Sequence, residues 1–389
     1  MKILHVIRSA DPTEGGPIEG ILQRGRRLKE LGHDVTVVAL DGPQPAYAAQ
    51  FPLNLVSLGP GQGIYGHCSD LAPWLAANAD SFDFISGHGI WQQSVAAMGP
   101  GLKNSRTPYV VWTHGMLDPW FDENKLKRLK KMIYWPRMLA PVLERSHAVM
   151  FTTEEERRLA ENRFRPYRFR QQVVAYGTQG IVGDAAAMRE AFLQEFPQLQ
   201  GQRVLLFLSR VHPKKGCDLL VRAFGEVLRD QPDVSLVVAG PDQVNWIETL
   251  QTEAKAAGVA DRIVWPGMLK GDRKWGAFAA AEAYVLPSHQ ENFGIVVAEA
   301  LSAGKPVLIS DKVNIWREVI QAKAGLVAPD TQAGATQLLR EWEGLGAEGR
   351  EAMSQQARPC FEEHFSVEGS ERDFLKVAEE AIQARAAKN

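Results

Sequence analysis

The sequence predicts an α/β protein of two doubly wound domains in tandem, and three observations predict it. The chain has 389 residues, enough for two domains that each bury a core. Short β-branched runs alternate with longer amphipathic stretches from one end to the other. The strand-like runs are apolar almost throughout, as strands of parallel sheets covered on both faces are.

The first series of strands is expected at 2–8, 34–40, 54–59, 83–89, 109–115, 148–153 and 172–177. The second is expected at 203–210, 234–240, 262–267, 283–288, 305–310 and 324–329. Between them, 178–202 holds Gly180, Gly183 and a polar helix, and marks the domain boundary. The first domain is therefore assigned 1–185 and the second 186–369, with a last helix at about 370–389 packing back on the first. Ligands of doubly wound sheets sit beyond the carboxyl ends of the strands, so two such domains facing each other would form a cleft.

Composition excludes several function classes. Lys and Arg number 44 against 46 Asp and Glu, for a formal net charge of -2, without the basic excess of a nucleic-acid binder. Cys68, Cys217 and Cys360 form no Cys-x-x-Cys pattern, which speaks against a zinc site or disulfide framework and fits a reducing cytosol. The starting run MKILHVIRSADPTEGG is broken by Arg8, Asp11 and Glu14, too early for a secretory signal. No run approaches the ~18 apolar residues of a membrane span. A cytoplasmic location is expected.

The most informative segment is AEAYVLPSHQENFGIVVAEALSAGKPVLIS, 281–310. A strand ends at Pro287-Ser288, a polar loop carries Glu291, and a helix starts near Gly294. Glu299 is embedded among Val296, Val297, Ala298, Ala300 and Leu301, and a carboxylate there needs a partner. Ribose hydroxyls would supply one, and the N–H groups around Phe293 to Val296 would suit a phosphate. On spacing alone, a solvated Glu291 and an exposed Glu299 fit equally well. A second segment, RVLLFLSRVHPKKGCDLLVRAF at 203–224, follows a strand with Arg210, Lys214, Lys215 and Gly216. Cations on a tight loop at a strand's end suit a diphosphate leaving group, although a basic surface turn has the same appearance.

These residues resemble the signature of retaining glycosyltransferases of family 4, which have the two-Rossmann-domain (GT-B) fold. The resemblance is carried by Pro287-Ser288, Glu291, Phe293-Gly294, Glu299-Ala300 and Gly304-Lys305-Pro306-Val307, and by Arg210 with Lys215-Gly216. It implies that Glu291 contacts the transferred sugar and that Glu299 holds the ribose. It also implies that Asn292, Phe293, Gly294, Ile295 and Val296 meet the diphosphate together with Arg210 and Lys215. The nucleotide base would lie at Gly267 and Met268, read by backbone groups that do not separate uridine from guanosine donors. The chain departs from the family at Asn314-Ile315-Trp316-Arg317-Glu318, where a Gly-Gly-x-x-Glu is usual, so sugar contacts from that loop are open.

In the first domain, Gly15-Gly16 follows the first strand and would let backbone approach a phosphate or sugar, although a plain turn also explains it. His88 and His114 each end a strand, where histidines face the ligand crevice or serve the structure. The resemblance places His114 beside the transferred sugar and leaves His88 as an acceptor-side contact. Trp91, Trp112 and Trp120 lie close in sequence, with Trp112 assigned to the core and an indole face elsewhere able to stack on a sugar. The run KLKRLKKMIYWPRML at 125–139 sets Leu126, Leu129 and Ile133 amid five cations. It reads as a solvated face or as a peripheral contact with anionic lipid at the inner face of the membrane.

The expected activity is sugar transfer, with retention, from a UDP- or GDP-linked donor to a saccharide or lipid-linked acceptor, as in cell-surface polysaccharide synthesis. Glu291, His114, Arg210 and Lys215 would be the catalytic residues. No Asp-x-Asp motif is present, and neither a metal nor another cofactor is expected. The alternatives are a sugar-nucleotide epimerase of the same fold and a two-lobed sugar-binding protein.

Overall fold

The computed structural model describes residues 1–122 and 125–387. The chain divides into two compact units, one of Met1–Gly177 with Val367–Asn389 and one of Thr178–Ser366. The first unit carries a seven-stranded sheet of β1 (Lys2–Val6), β2 (Asp34–Ala39), β3 (Asn54–Ser57), β4 (Phe84–His88), β5 (Tyr109–Trp112), β6 (Ala148–Phe151) and β7 (Gln171–Val173). Its spatial order is β3-β2-β1-β4-β5-β6-β7, and every pairing is parallel. The second unit has β8 (Arg203–Leu208), β9 (Val234–Ala239), β10 (Ile263–Gly267), β11 (Ala283–Leu286), β12 (Val307–Ser310) and β13 (Gly325–Ala328). They pair in parallel in the order β10-β9-β8-β11-β12-β13. Both orders reverse direction once, at β1/β4 and at β8/β11, as in Rossmann-like sheets.

Every expected strand forms. Each residue of β4, β5, β6, β9, β11 and β12 is buried, the pattern of sheets covered on both faces. Most strands stop before the end that their apolar run suggests. The chain leaves the ladder at glycines in left-handed or extended-positive backbone, Gly89 at φ +84° and Gly240 at φ +143°. A side chain at Gly240 would place Cβ 1.7 Å from the carbonyl oxygen of Ser209, so the close approach of those two loops requires glycine.

The helix Gly16–Glu30 shows how local sequence and packing combine. Pro17 opens it, Glu19 lies in its first turn, and Arg27 and Lys29 lie in its last, each favourable for the helix dipole. Ile18, Ile21, Leu22 and Leu28 bury one face. The C-terminal helix Val367–Ala386 packs against it and buries Phe374, Val377, Ala378 and Ala381. Arg24 is held between the rings of Trp112 and Phe374, at 4.9 and 4.7 Å, and donates to Ser370 Oγ at 2.9 Å. Burial brings its guanidinium pKa down to about 10. The last helix thus belongs to the first unit and starts at Val367; Lys388 and Asn389 lie outside the described residues.

The unit boundary falls at Thr178, ahead of residue 186. The helix Ala185–Glu195 packs on the helix Gly271–Ala280, so closely that a Cβ at Gly276 would lie 2.4 Å from Met188 O. Among the described residues no helix is long and apolar enough to cross a membrane.

Candidate active site

In the second unit Lys215 and Glu291, two of the residues that the sequence singles out, meet at the β8/β11 switch point. Lys215 ends the 3-10 turn Pro213–Lys215 after β8, and Glu291 lies in the loop after β11. The two loops are stitched together: the His289 N–H and Ser288 Oγ–H both donate to Lys214 O, at 2.8 and 3.0 Å. Gly216 is left-handed at φ +69°, and any Cβ there would meet Pro287 O at 2.1 Å. Lys215 is 6% exposed and forms an ion pair with Glu291 Oε1. The backbone of Glu291 is itself fixed, its N–H donating to Lys312 O at 2.9 Å and its C=O accepting from Asn314 N at 3.1 Å.

Gly294 adopts the left-handed conformation that opens the helix Ile295–Ser302. Asn292, Gly294, Ile295 and Val296 are half-buried around this N-terminus, and Phe293 is buried. Glu299 is buried one turn in, and its partner is Lys274 of the helix Gly271–Ala280, Nζ to Oε1 2.7 Å. Gly267 ends β10 in a positive-φ conformation and its carbonyl accepts from Gly240 N at 2.8 Å, while Met268 beside it is exposed. Arg210 does not join Lys215. It is exposed and donates to Gln243 Oε1 at 3.1 Å. In the departing loop, Asn314 is buried beside Glu291, and Glu318 lies on the helix Trp316–Gln321, where its carbonyl accepts from Cys360 Sγ–H at 4.0 Å.

In the first unit a cavity of about 180 Å³ opens at the β1/β4 switch point, lined by Arg8, Ser9, Glu14, Gln92, His88 and His114 among others. Gly15 has φ +104° and ψ -153°, a conformation for glycine alone, and a Cβ on Gly15 or Gly16 would touch nothing within 4 Å. The backbone there is bare to an approaching group. His114 stands at φ +50°, rare for a residue with a side chain. It is held by buried Glu156, whose Oε1 accepts from Thr113 Oγ1 at 2.5 Å and from Gly115 N at 2.6 Å. The other oxygen accepts from Thr152 N and Oγ1, both at 2.7 Å.

The ring of His114 has both nitrogens engaged within this unit. Nδ1 lies 2.9 Å from Tyr176 OH and Nε2 lies 2.9 Å from His88 Nδ1. His88 Nε2 in turn lies 2.9 Å from His5 Nδ1. A ligand contact through a ring nitrogen of His114 therefore has to open one of these bonds. Burial, with Arg24 nearby, brings the pKa of His5 and of His114 down to about 3 and that of His88 well below its usual value. Trp112 is buried, donating Nε1–H to Ser86 Oγ at 3.0 Å. Trp91 is half-buried, its N–H donating to Met116 O at 2.8 Å, and Trp120 is exposed.

Sequence reading missed Lys274, Glu156 and His5. Thr153-x-x-Glu156 has the form of a helix capping box, and Thr153 Oγ1 does accept from Glu156 N at 2.9 Å. The carboxylate, however, serves Thr113, Gly115 and Thr152. Lys274 and His5 left no local signal, since their partners are 25 and 83 residues away.

The two parallel sheets, each reversing its strand order once, define a protein of two Rossmann-like domains. Residues 188–359 match the family described as glycosyl transferases group 1, and residues 15–177 match the glycosyl transferase 4-like domain. The chain belongs to the group 1 glycosyltransferases. Among curated relatives, a D-inositol 3-phosphate glycosyltransferase of Rhodococcus jostii is 31% identical over 246 residues, 60% of this chain and 52% of that protein. One from Segniliparus rotundus is 32% identical over 46% of this chain and 41% of its own length. A GDP-mannose-dependent alpha-(1-6)-phosphatidylinositol monomannoside mannosyltransferase of Mycolicibacterium smegmatis is 31% identical over 39% of each chain. The chain thus spans about two fifths to one half of the length of these relatives. Among solved structures, Anabaena HepE in complex with UDP superposes with TM-score 0.79 at 17% identity, over 98% of this chain and 100% of that one. A glycosyltransferase from Rickettsia africae gives 0.78 at 15% identity, over 98% of each chain. These likenesses establish the GT-B fold.

Proposed function

We propose that this chain transfers a sugar, with retention of configuration, from a nucleoside diphosphate sugar to a saccharide or lipid-linked acceptor. The observation that carries the reading is the Lys215–Glu291 pair at the β8/β11 switch point, with Glu299 and Lys274 behind it. Buried Lys215 needs an anion, and Glu291 fills that need only while no diphosphate does. On donor binding, Lys215 and Arg210 take the diphosphate and stabilise its charge as it leaves. Glu291 is freed to hold the sugar, and Glu299 holds the ribose. The N–H groups from Asn292 to Val296 complete the phosphate site at the helix N-terminus. Departure and attack then take place on one face of the sugar, with the leaving diphosphate accepting the acceptor's proton. Arg210 and Lys215 supply the positive charge, so the reading calls for no metal or other cofactor.

UDP is bound in the HepE structure and GDP-mannose is named for one relative, so either nucleotide fits the family. A role in cell-surface polysaccharide synthesis on the cytoplasmic side accords with three free, buried cysteines. The helix Lys125–Tyr134 buries no residue, and its Leu126 is 73% exposed beside Leu129, Met132 and Ile133. Tyr134 OH bonds Tyr65 OH at 2.6 Å, next to Ile64, which is 93% exposed. With Lys125, Lys127, Arg128, Lys130 and Lys131 around it, this surface is suited to peripheral contact with anionic lipid. Flotation with anionic liposomes at low salt checks it; recovery of all protein at the bottom of the gradient would refute it.

The transfer itself is tested with a panel of UDP- and GDP-sugars and an extract of bacterial lipids and polysaccharides. Release of one diphosphate only when acceptor is present, abolished in Glu291→Ala, is the expected result. An altered nucleotide sugar formed without acceptor would replace it with an epimerase. Binding of free sugar, with no response to nucleotides, would replace it with a sugar-binding protein.

A further inference from the structure

The chain of rings in the first unit is laid out by the sheet. His5 on β1 stands opposite Ser86 on β4, and His88 stands opposite Trp112 on β5. With side chains alternating faces, His5, Ser86, His88 and Trp112 lie on one side, and His114, two residues beyond the end of β5, stacks its ring on His88 and Trp112, at 5.1 and 6.0 Å between centroids. Each histidine is two residues farther along its strand than the position opposite the previous one, so the three rings step diagonally towards the cavity. The contacts, all 2.9 Å, run His5 Nδ1 to His88 Nε2, His88 Nδ1 to His114 Nε2, and His114 Nδ1 to Tyr176 OH.

Three neutral imidazoles have one N–H each, so the chain has two possible polarities. If Tyr176 donates inward, the last N–H falls on His5 Nε2, a buried atom with no partner among the described residues. If the donors run outward from His5, every imidazole N–H is used. Tyr176 then accepts from His114 and can turn its own O–H to Pro17 O at 3.5 Å. Orphaned buried N–H groups are rare, whereas a bare lone pair is better tolerated. Ser86 is compatible with this polarity. Its Oγ accepts from the Trp112 N–H at 3.0 Å, leaving its O–H to donate to His88 Nε2 at 3.2 Å. The charged and titratable groups acting on the chain are Arg24, from the helix Gly16–Glu30, Tyr176, and Glu156, which acts on Tyr176.

We infer that His5 and His88 are positioning residues that hold the ring of His114 in its Nδ1–H tautomer. Glu156 fixes the backbone of His114 through its neighbours, and the two buried histidines fix its ring. The row is not a proton route, since its inner end stops at His5 Nε2 in the core. What the ordered ring does for a substrate rests on the transfer proposed above. The tautomer does not, and is measured without any substrate.

The test is a two-bond ¹H–¹⁵N correlation spectrum of the full chain labelled with ¹⁵N-histidine, assigned with a His114→Gln variant. The expected spectrum shows His114 as the Nδ1–H tautomer with unchanged shifts from pH 8 to pH 5. His88→Leu, with folding confirmed by circular dichroism, is expected to relax His114 to a mixture of tautomers. His88→Gln, whose amide N–H can donate to Nε2, is expected to restore the wild-type pattern. An Nε2–H tautomer in the wild-type protein overturns the inference, as does titration of His114 between pH 8 and pH 5. So does a folded His88→Leu in which the His114 signals do not move. Should His88→Leu not fold, the wild-type tautomer and His88→Gln decide.

Discussion

The two switch points share a strand order but use opposite chemistry. At β8/β11 the candidate site is charged and pairs internally, Lys215 with Glu291 and Lys274 with Glu299. At β1/β4 they are imidazoles kept neutral by burial and joined in a row. An ion pair can exchange its partner for a phosphate or a hydroxyl at little electrostatic cost. A row of neutral rings gives order without charge, and it resists protonation. The topology brings both clusters to a switch point; the residue types make one a set of ion pairs and the other a row of neutral rings.

The largest effects should come from breaking the charged site. Lys215→Ala is expected to lower turnover by roughly 10²–10³-fold, as loss of one preorganised contact with a leaving anion does. Measured kcat on the identified donor checks it, and a change below about threefold would remove Lys215 from the chemistry.

Next in size are losses of stability in the neutral unit. Glu156→Ala strands the Gly115 and Thr152 N–H groups and should cost about 3 kcal/mol or more, at 1–3 kcal/mol for each orphaned group. Phe374→Ala, which removes one wall around Arg24, should cost about 3–5 kcal/mol. Urea unfolding followed by tryptophan fluorescence measures both. Changes under about 1 kcal/mol would show that neither the carboxylate clamp nor the last helix fixes this unit.

The pH response should separate the two units. The folded-state pKa of His5 and of His114 is about 3, below the usual value of 6.5. The unfolded chain therefore binds more protons between these values, and stability falls as the pH drops from 6.5 towards 3. Each histidine contributes a slope of about 1.4 kcal/mol per pH unit in that window. His114→Gln should flatten the slope measured by unfolding at pH 7, 6 and 5, and an equal slope in the variant would contradict the buried neutral row.

The smallest effect is expected from Lys274→Met. Glu299 then loses its ion pair with Lys274, and nucleoside diphosphate affinity should weaken by about tenfold or less, roughly 1 kcal/mol. Isothermal titration checks it; tighter binding would mean that Lys274 competes with the ribose instead of orienting Glu299.

The strands were legible because buried parallel strands are apolar at nearly every position, as in Phe84–His88 and Ala283–Leu286. Glu291 and Glu299 were legible because they share a single loop and helix with a recognisable spacing. Lys274 was not, because it reaches Glu299 from a separate helix. The histidine row was only half visible: His88 and His114 mark strand ends, but the link to His5 depends on the register between β1 and β4, which periodicity does not supply. Arg210 carried the expected motif and yet bonds Gln243, since its exposed side chain is not fixed by the loop that buries Lys215.

The most direct test of the account is a thermal-shift panel of uridine, guanosine and adenosine diphosphates on the wild-type chain, Lys215→Ala and Glu299→Ala. One diphosphate is expected to raise Tm in the wild-type protein, and both variants to lose the shift, by linkage of binding to folding. No shift with any diphosphate, or a shift kept in full by both variants, would contradict it.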